Sequence, residues 1–466
     1  MVGKKVVILG AGESGAGAAL LARAKGFEVF VSDAGPVKPE TQELLTSHQI
    51  PFESGQHTDK KILSATEVIK SPGIPDSVPI VQRLRAQNTP VISDIEFASR
   101  YTDAALIMIS GTNGKTTTTL LTYHLLQAAG LNVGLAGNVG ISFARQVMEN
   151  RHDYYVLEIS SFQLDTMFAA KAQIAVLLNI TPDHLDRYNY KLKNYVQSKF
   201  RIVQNMDENG YFIYYADDTN IRDYLYGKTQ FHQQIVPVQL PVTLLDHPED
   251  NAAAHLSEEA FVLQIPHHSH ISHIPLTSSP LPGRHNKVNA MAAMLIAKAL
   301  QVHDEVIISG LQSYRNVPHR MEAAGEVKGV RFINDSKATN VDAVFYALED
   351  IPCDGKKPCI IWIAGGIDKG NNYEQLMPLV SHKVKALVCL GIDNTRLFNN
   401  FKATVPKLTE AVTMTKAVEK ALNMAVPGDV VLLSPACSSF DLFKNYEDRG
   451  DQFKAVIQQL MQQQQT

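Results

Sequence analysis

The chain has 466 residues, of which 45% are hydrophobic and 19% are charged, and its formal net charge is −4. This composition is typical of a globular protein with about three domains, and the charge excludes a nucleic-acid partner held by bulk electrostatics. No segment approaches the ~18 apolar residues of a membrane span, and the apolar run near the start is too short for a signal peptide. We therefore expect a cytoplasmic protein that has no membrane partner.

The four cysteines share no metal-type spacing and all lie in the last quarter of the chain. They are Cys353, Cys359, Cys389 and Cys437. We interpret them as buried small residues in a reducing compartment.

Strand-like apolar runs alternate with helical stretches, and this alternation restarts three times along the chain. The predicted strands are KKVVILG and FEVFVSD in the first unit, AALIMIS, DYYVLEIS and IAVLLNIT in the second, and VRFIND, CIIWIAGG, ALVCLG and DVVLLSP in the third. Continuous apolar strands between amphipathic helices predict parallel sheets covered on both faces. We predict an α/β protein of three domains: residues 1–94 and 318–466 Rossmann-like, and residues 95–317 of the P-loop ATPase type.

A glycine-rich turn follows the first strand. Gly10-Ala11-Gly12-Glu13-Ser14-Gly15 has the spacing G-x-G-x-x-G, and Asp33 ends the next strand, which is the dinucleotide fingerprint. A glycine turn at a helix N-terminus accommodates any phosphate, however, so the pattern predicts a nucleotide diphosphate without identifying it. The alternative is that the glycines serve only a tight turn. A second loop, KSPGIP (70–75), is placed to line the same crevice.

The segment SGTNGKTTTT (110–119) resembles a phosphate-binding loop that is two residues short. The usual form is G-x-x-x-x-G-K-S/T, whereas here Ile109 stands where the first glycine belongs. Gly111 and Gly114 permit close approach of the backbone to phosphate, Lys115 is placed for the β- and γ-phosphates, and Thr116 for Mg²⁺. The loop predicts a nucleoside triphosphate site.

Acidic and imidazole side chains follow two other strands of the second unit. Glu158 ends DYYVLE as a Mg²⁺-binding acid does in phosphate-loop enzymes, and Asp183-His184 follow LLNITP. His184 is placed to complete the shell of a second metal. We also expect Asp183 to cap the helix that follows it.

Lys199 lies in the apolar stripe of a predicted helix. Tyr195, Val196, Ile202 and Val203 form that stripe in NYVQSKFRIVQNM. Either the lysine extends its stem over the core and keeps its amine in water, or the amine is partly buried with a lowered pKa and takes part in chemistry. The spacing leaves both alternatives open.

Four histidines fall between residues 267 and 273. No other ligand type lies nearby, so we expect an exposed loop or an edge strand rather than a metal site.

Eight segments together resemble the Mur ligase family over nearly the full chain and in the family's order. They are SGTNGKTTTT, LEISSFQL, NITPDHLDRY, SKFRI, PGRHNKVNAMAA, VPHRME, NDSKATN and LLSPACSSFDLFKNYEDRGDQF. The shortened loop is the family's own form. The segment NDSKATN and the type of N-terminal unit favour the member that uses ATP to join D-glutamate to UDP-N-acetylmuramoyl-L-alanine in peptidoglycan precursor synthesis. The resemblance therefore implies that the first glycine cluster binds a UDP-sugar.

The resemblance implies residues for each ligand. Those for ATP are Gly111, Thr112, Asn113, Gly114, Lys115, Thr116, Thr117, Asn286, Asn289, Arg320 and Asp335. Those for the UDP-sugar are Ser14, Asp33, Ser71, Pro72, Gly73 and Asn138. Those for D-glutamate are Thr339, Lys369, Ser439 and Tyr446. Those for two Mg²⁺ ions are Thr116, Glu158, His184 and a carbamylated Lys199. The implied catalytic residues are Lys115, His184, Lys199 and Lys337, in a protein expected to be a monomer.

Phe440 and Tyr446 differ from the residues that other family members have at these positions. The difference affects only the details of the amino-acid pocket.

Two other functions compete with the ligase hypothesis. A nicotinamide-dependent oxidoreductase explains residues 10–33 but gives Lys115, Glu158 and Lys199 no role. A non-catalytic nucleotide switch gives NDSKATN and Lys369 no role.

Overall fold

The computed structural model describes residues 4–149, 151–227, 237–245, 252–266, 270–353, 357–368 and 370–465. Within these residues the strands form sheets of five, nine and six strands. The chain divides into two compact units, residues 1–280 with 286–314 and residues 281–285 with 315–466. The five- and nine-stranded sheets belong to the first unit and the six-stranded sheet to the second. Among the described residues, no helix is long and apolar enough to cross a membrane.

The five-stranded sheet is parallel throughout, with the order β3-β2-β1-β4-β5. Its strands are β1 (Lys5–Leu9), β2 (Glu28–Asp33), β3 (Phe52–Ser54), β4 (Glu67–Lys70) and β5 (Val91–Ile92). Its helices are α1 (Glu13–Ala24), α2 (Pro39–Ser47), α3 (Asp59–Ile62), α4 (Pro79–Ala86) and α5 (Asp94–Ser99). The strand order reverses between β1 and β4, so the loops after these two strands adjoin at the carboxyl edge, where such sheets bind ligands.

The nine-stranded sheet has the order β14-β13-β12-β11-β10-β9-β6-β8-β7. Its strands are β6 (Ala105–Ser110), β7 (Val133–Gly137), β8 (Tyr154–Glu158), β9 (Ile174–Leu177), β10 (Tyr211–Tyr215), β11 (Val238–Val242), β12 (Ala254–Leu256), β13 (Ala260–Leu263) and β14 (Ser272–Pro275). Its helices are α6 (Lys115–Ala128), α7 (Phe143–Glu149), α8 (Ser161–Leu164), α9 (Leu192–Phe200), α10 (Thr219–Tyr226), α11 (Arg284–Ala299) and α12 (Asp304–Ser313). β6 lies between β8 and β9, which places the loop after β6 at the switch point of this sheet.

The six-stranded sheet has the order β15-β16-β20-β17-β18-β19. Its strands are β15 (Glu322–Val327), β16 (Val330–Asn334), β17 (Ile360–Ala364), β18 (Val384–Leu390), β19 (Lys407–Ala411) and β20 (Val430–Leu433). Its helices are α13 (Val341–Asp350), α14 (Met377–Lys383), α15 (Thr395–Phe401), α16 (Met414–Met424) and α17 (Tyr446–Gln465). Trp362 packs into one hydrophobic core and its neighbours Ile361 and Ile363 into another, so β17 is buried on both faces.

The predicted strands are all present, because a continuous apolar run is what a strand buried on both faces requires. The prediction of purely parallel sheets is incomplete. β12, β13 and β14 pair antiparallel, and so do β15 and β16. The pairs lie at one end of their respective sheets, with β14 and β15 as the edge strands, and there a short hairpin adds a strand without a crossover helix.

The histidine-rich segment meets the edge of the nine-stranded sheet. β14 is the edge strand, and His270 and His273 are exposed. This agrees with the expected edge strand, while residues 267–269 lie outside the described residues. Across the described part of the chain, no group of three or more His, Cys, Asp or Glu side chains is arranged to hold a metal.

The prediction for the cysteines is wrong for two of the four. Cys353 and Cys359 form a disulfide between the end of α13 and the start of β17, and both are partly exposed. Their Cα atoms lie 5.7 Å apart, which is a separation that a disulfide spans. Cys389 and Cys437 are free and buried, as expected.

Candidate active site

The phosphate loop joins β6 to α6 and is shaped by its glycines. Gly114 caps α6 in the left-handed conformation, with φ of +85°, and Lys115 is the first residue of the helix. A Cβ atom at position 114 would clash with the side chain of Asn289. The loop therefore needs glycine both for its backbone conformation and for the close approach of α11. The backbone N–H groups at the start of α6 are suited to binding an anion.

A residue that the sequence analysis missed holds this loop in place. The side-chain oxygen of Asn179 accepts a hydrogen bond from Asn113 N at 2.8 Å, and its amide donates to Asn113 O at 3.0 Å. The backbone of Asn179 also accepts from Thr112 N at 2.9 Å. In the sequence, Asn179 could have been recognised as a polar residue that follows an apolar strand, at the edge of the sheet where ligands bind.

Two lysines meet at one carbonyl oxygen of the loop. Lys115 Nζ donates to Gly111 O at 2.8 Å, and Lys199 Nζ donates to the same atom at 2.7 Å. Lys199 is only 1% exposed and its ammonium lies 4.7 Å from the ring centroid of Tyr195. Burial, and then the charge of Lys115, hold the pKa of Lys199 well below its usual value. The structure thus places the amine inside the protein rather than in water, as the second of the two alternatives predicted.

Glu158 ends β8 directly beside β6, paired in register with Ile109. The side chain is 6% exposed, and its Oε2 atom has no hydrogen-bond partner within the described residues. A buried carboxylate oxygen without a partner is costly unless a cation or a donor reaches it. The position therefore fits a metal ion beside the phosphate loop.

Asp183 and His184 lie on the other side of β6, after β9. Asp183 Oδ1 accepts from the backbone N–H of His184 at 2.8 Å, and His184 has φ of +51°. The expectation that Asp183 caps the following helix is wrong. His184 precedes the 3₁₀ turn Leu185–Tyr188, and its left-handed conformation turns the Asp183 carboxylate back onto the adjacent N–H.

A cavity of about 260 Å³ lies beside Lys115, Asp183, His184 and Lys199 within the first unit. Its lining comes from loops of both sheets and comprises Pro72, Gly73, Lys115, Asn138, Ser160, Ser161, Phe162, Asp183, His184, Tyr195 and Lys199. Residues predicted for ATP and for the UDP-sugar therefore face one common space.

Arg187 and Phe162, which the sequence analysis assigned to no ligand, join the two sheets at this cavity. The Arg187 guanidinium lies 4.4 Å from the Phe162 ring centroid and donates to Pro72 O and Gly73 O, both at 3.4 Å. The Phe162 ring also contacts that of His184, with centroids 5.2 Å apart. In the sequence, the only indication of a role for these residues was that Phe162 lies in LEISSFQL and Arg187 in NITPDHLDRY, two of the segments that resemble the family.

The glycine turn of the five-stranded sheet lies against the KSPGIP loop. Ser71 Oγ is 3.5 Å from Gly10 O, so the two loops line one crevice, as expected. The Asp33 carboxylate accepts from the backbone N–H groups of Ala11 and Gly35, at 2.7 and 2.8 Å. Ser14 lies partly exposed in the first turn of α1.

Asn286 and Asn289 lie on α11 and are almost fully buried. Asn289 Nδ2 donates to Asn286 Oδ1 at 3.1 Å, and Asn289 borders Gly114. The pair therefore lies against the phosphate loop. Thr116 and Thr117 are likewise buried, at 5% and 3% exposure, in the first turn of α6.

In the second unit, the remaining predicted residues follow the strand ends of the six-stranded sheet. Asp335 follows β16, is 7% exposed, and accepts from Ser434 Oγ at 2.8 Å. Burial raises the pKa of Asp335 to about 7. Lys337 Nζ lies 5.2 Å from the ring centroid of Tyr446, which begins α17. Arg320 precedes β15 and is partly exposed.

Of the three remaining residues predicted to bind D-glutamate in this unit, one is buried, one is exposed and one lies outside the described residues. Ser439, after β20, is 2% exposed, while Thr339 is exposed. Lys369 lies outside the described residues. Phe440 is 69% exposed.

The phosphate loop, the buried lysine beside it and the three successive sheets are the features expected of a nucleotide-dependent ligase. The comparisons with known proteins agree with this class. Models of the Mur ligase MurD-like N-terminal domain, the Mur ligase middle domain and the Mur ligase glutamate ligase domain match residues 4–93, 109–297 and 319–437. The chain belongs to the Mur ligase family and is an ATP-dependent ligase of peptidoglycan precursor synthesis.

Relatives extend this similarity over the whole chain. A protein of Christiangramia forsetii is 46% identical over 459 residues, covering 98% of this chain and all of the relative. A protein of Porphyromonas gingivalis strain W83 is 49% identical over 454 residues, covering 97% and 98%. Both are named UDP-N-acetylmuramoylalanine–D-glutamate ligase. The solved structure of UDP-N-acetylmuramate-alanine ligase from Thermotoga maritima shares the fold, with a TM-score of 0.61 at 17% identity over 98% of this chain and 99% of that chain.

Proposed function

We propose that this protein joins D-glutamate to UDP-N-acetylmuramoyl-L-alanine in the cytoplasm, as a monomer, using ATP. The observation that carries the proposal is the single cavity lined by the phosphate loop residue Lys115 and by Pro72, Gly73 and Asn138. A ligase must bring the γ-phosphate of ATP to the carboxylate that it activates, so the two substrates need one common space. The names of the relatives support the choice of D-glutamate and the UDP-sugar as substrates.

The chemistry follows from the weakness of a carboxylate as an electrophile. The terminal carboxylate of the sugar substrate attacks the γ-phosphorus of ATP, forming an acyl phosphate and releasing ADP. The amine of D-glutamate then attacks the acyl carbon, the C–O bond to phosphate breaks, and an amide, inorganic phosphate and a proton result. Little covalent work falls to the protein, which aligns two anions and neutralises their charge.

Lys115 supplies positive charge at the phosphate loop. Its ammonium now bonds to Gly111 O and Thr112 O, both at 2.8 Å, so it is held at the start of α6 where phosphates are bound. The loop N–H groups and this charge would hold the transferred phosphoryl group in line with the carboxylate. Asn286 and Asn289, which border the loop, would contact the adenine. The family pattern also assigns Arg320 and Asp335 to ATP.

The family pattern supports two Mg²⁺ ions beside the loop. Glu158, whose buried Oε2 atom has no hydrogen-bond partner within the described residues, the Thr116 hydroxyl, His184 and a carbamylated Lys199 would hold these ions. When bound, Mg²⁺ would neutralise phosphate oxygens and so lower the cost of bringing two anions together.

Carbamylation of Lys199 needs a neutral amine. Burial, and then the charge of Lys115, lower the pKa of Lys199 well below its usual value, so the neutral amine is easier to form here than in an exposed lysine. The free amine then attacks CO₂, a C–N bond forms, and a second proton leaves to give an anionic carbamate. This anion would replace an unfavourable buried cation with a metal ligand.

The rest of the assignment follows the family pattern. Ser14, Asp33 and Ser71 would contact the UDP moiety, and Lys337, Thr339, Lys369, Ser439 and Tyr446 the amino acid and the reacting phosphate. We propose domain boundaries at residues 94/95 and 317/318, so that each sheet lies in one domain.

The proposal is tested by incubating the protein with UDP-N-acetylmuramoyl-L-alanine, ATP, Mg²⁺ and one candidate amino acid at a time, and measuring phosphate release and the amide product. We expect turnover with D-glutamate and little with L-glutamate or D-aspartate. Omission of the sugar substrate or of Mg²⁺ is the control, and both should abolish product. Turnover with a different amino acid would reassign the substrate, and NADH oxidation in place of ATP hydrolysis would restore the oxidoreductase hypothesis.

A further inference from the structure

Arg449, on α17, is among the largest fully buried side chains of the second unit, at 1% exposure. Burying a guanidinium is costly unless its N–H groups find acceptors. Here Nε donates to Ser336 Oγ at 3.0 Å and Nη2 to Ser336 O at 2.8 Å. Nη1 donates to Cys437 O at 3.2 Å and to Gly365 O at 3.4 Å. All of these acceptors are oxygens of the chain itself.

The acceptors lie in three different loops at one edge of the six-stranded sheet. Ser336 follows β16, Gly365 follows β17, and Cys437 follows β20, and these strands are neighbours in the order β16-β20-β17. One side chain therefore connects three loops that are far apart in sequence. The planar fork of arginine can reach acceptors in several directions at once, which a lysine ammonium on a single stem does less well.

Each of these loops carries a residue proposed to bind the amino acid. In the sequence, Ser336 adjoins Lys337, Cys437 precedes Ser439 by two residues, and Gly365 precedes Lys369 by four. Ser336 Oγ also donates to Tyr446 O at 2.8 Å, which ties the first turn of α17 to the same network.

We propose that Arg449 is a positioning residue that fixes the relative placement of the three amino-acid-binding loops and of Tyr446. It does not itself reach the substrate, because its N–H groups are engaged by loop carbonyls and by Ser336. This inference rests on the proposed function, since it presumes that these loops bind the amino acid. Burial lowers the pKa of Arg449 to about 10, so the side chain stays charged at neutral pH and keeps all its donors.

The test compares Arg449→Lys, Arg449→Met and Ser336→Ala with the unmodified enzyme under steady-state conditions. We expect the KM for D-glutamate to rise about tenfold or more in each variant, while the KM for the sugar substrate changes less than about twofold. Arg449→Lys should be less impaired than Arg449→Met, because it retains one charged donor. Ser336→Ala removes only a hydroxyl, so it keeps the test decisive where the arginine variants fail to fold.

Lys383→Met is the matched control. The Lys383 ammonium donates to three backbone carbonyls, those of Leu348, Glu349 and Ile351, at the opposite edge of the same sheet. It should lower the melting temperature without raising the KM for D-glutamate. An unchanged KM for D-glutamate in Ser336→Ala and Arg449→Lys, or an equal rise in Lys383→Met, would overturn the inference. Failure of the unmodified enzyme to use D-glutamate would instead overturn the proposed function.

Discussion

At the scale of single residues, the candidate site depends on two lysines that share one acceptor. Lys115 and Lys199 both donate to Gly111 O, and each charge opposes the other in a region of low solvent access. Two adjacent ammonium groups are unfavourable unless an anion lies near them or one of them is neutral. The arrangement therefore favours a bound phosphate at Lys115 and a neutral or modified amine at Lys199.

Substitution of Lys199 tests the role of the amine. Lys199→Ala should be folded and nearly inactive, and acetate added in solution should restore part of the activity by replacing the carbamate. Lys199→Arg should remain inactive with or without acetate, because a guanidinium stays charged and cannot be carbamylated. Mass spectrometry of the intact protein under CO₂ should detect the modification.

Lys193→Ala, an exposed position on the same helix α9, is the control and should retain activity. If Lys199→Ala kept its turnover and the lysine were unmodified, the catalytic role of this residue would have to be abandoned.

Substitution of Lys115 tests the phosphate loop. Lys115→Ala removes the charge that faces the phosphates, so we expect kcat/KM to fall on the order of 10²-fold or more. Phosphate release measures this loss. Gln127→Ala, at the exposed far end of α6, should be close to the unmodified enzyme. Near-normal turnover in Lys115→Ala would contradict the assignment of this loop to ATP.

At the scale of elements, α5 is tied to the nine-stranded sheet by one buried carboxylate. Glu96 is 1% exposed, and its Oε2 atom accepts from the backbone N–H groups of residues 168, 169 and 170, at 3.0, 3.0 and 2.9 Å. The helix that follows the five-stranded sheet is thereby fixed to the loop before β9.

Glu96→Ala should destabilise the first unit by about 2–3 kcal/mol, because it removes the acceptor of three N–H groups. Urea denaturation followed by circular dichroism measures the change. Glu67→Ala removes a partly exposed partner of Arg100 and should cost less than about 1 kcal/mol. Equal effects of the two substitutions would show that the three N–H bonds contribute nothing beyond a surface ion pair.

The end of α13 carries a carboxyl group whose ionisation should depend on folding. Asp350 has a side chain that is 4% exposed and lies 3.5 Å from His285 Nδ1. Burial, followed by the charge of Glu349, raises the pKa of Asp350 from 3.8 to about 7. Between these values the folded chain binds more protons than the unfolded chain, so the free energy of unfolding falls as the pH rises through this window.

Asp350→Asn should remove this dependence. Relative to the unmodified protein, the variant should gain stability from pH 5 to pH 8, at no more than about 1.4 kcal/mol per pH unit. Urea denaturation followed by the fluorescence of Trp362, the single tryptophan and a buried residue of the same unit, reports the change. A difference between the two proteins that stays constant over this range would mean that Asp350 is ionised throughout.

At the scale of the whole molecule, the first glycine cluster is predicted to bind a UDP-sugar rather than a nicotinamide dinucleotide. Adding a UDP-sugar at a hundredfold excess over its Kd should stabilise the protein by about 2.7 kcal/mol and raise the melting temperature, whereas NAD and NADH should not. Differential scanning calorimetry measures both. Ser71→Ala, at the loop beside Gly10, should weaken the shift. A clear shift with NADH and none with the UDP-sugar would reverse the assignment.

The sequence by itself determined the fold class and the ATP-dependent type of reaction. Runs such as ALIMIS and IIWIA, apolar on both faces, can only be buried in a covered sheet, and glycine followed by lysine and threonine after such a run marks a phosphate loop. The same local logic placed Glu158 and His184 at the carboxyl edge of the nine-stranded sheet, because polar residues at the ends of buried parallel strands meet at one edge. The antiparallel pairs were missed because each includes a short strand with few consecutive apolar residues, namely β12 (AHL), β14 (SHIP) or β15 (EAAGEV).

Only the tertiary structure decided what depends on contacts between distant segments. The burial of Lys199, the support of the loop by Asn179, the connection of the two sheets by Arg187 and the network of Arg449 each join residues many positions apart. The Cys353–Cys359 disulfide likewise depends on the end of α13 lying close to the start of β17. Hydrophobic periodicity specifies which face of an element is buried, but the partner that meets a given side chain is fixed by packing between elements, which local sequence does not encode.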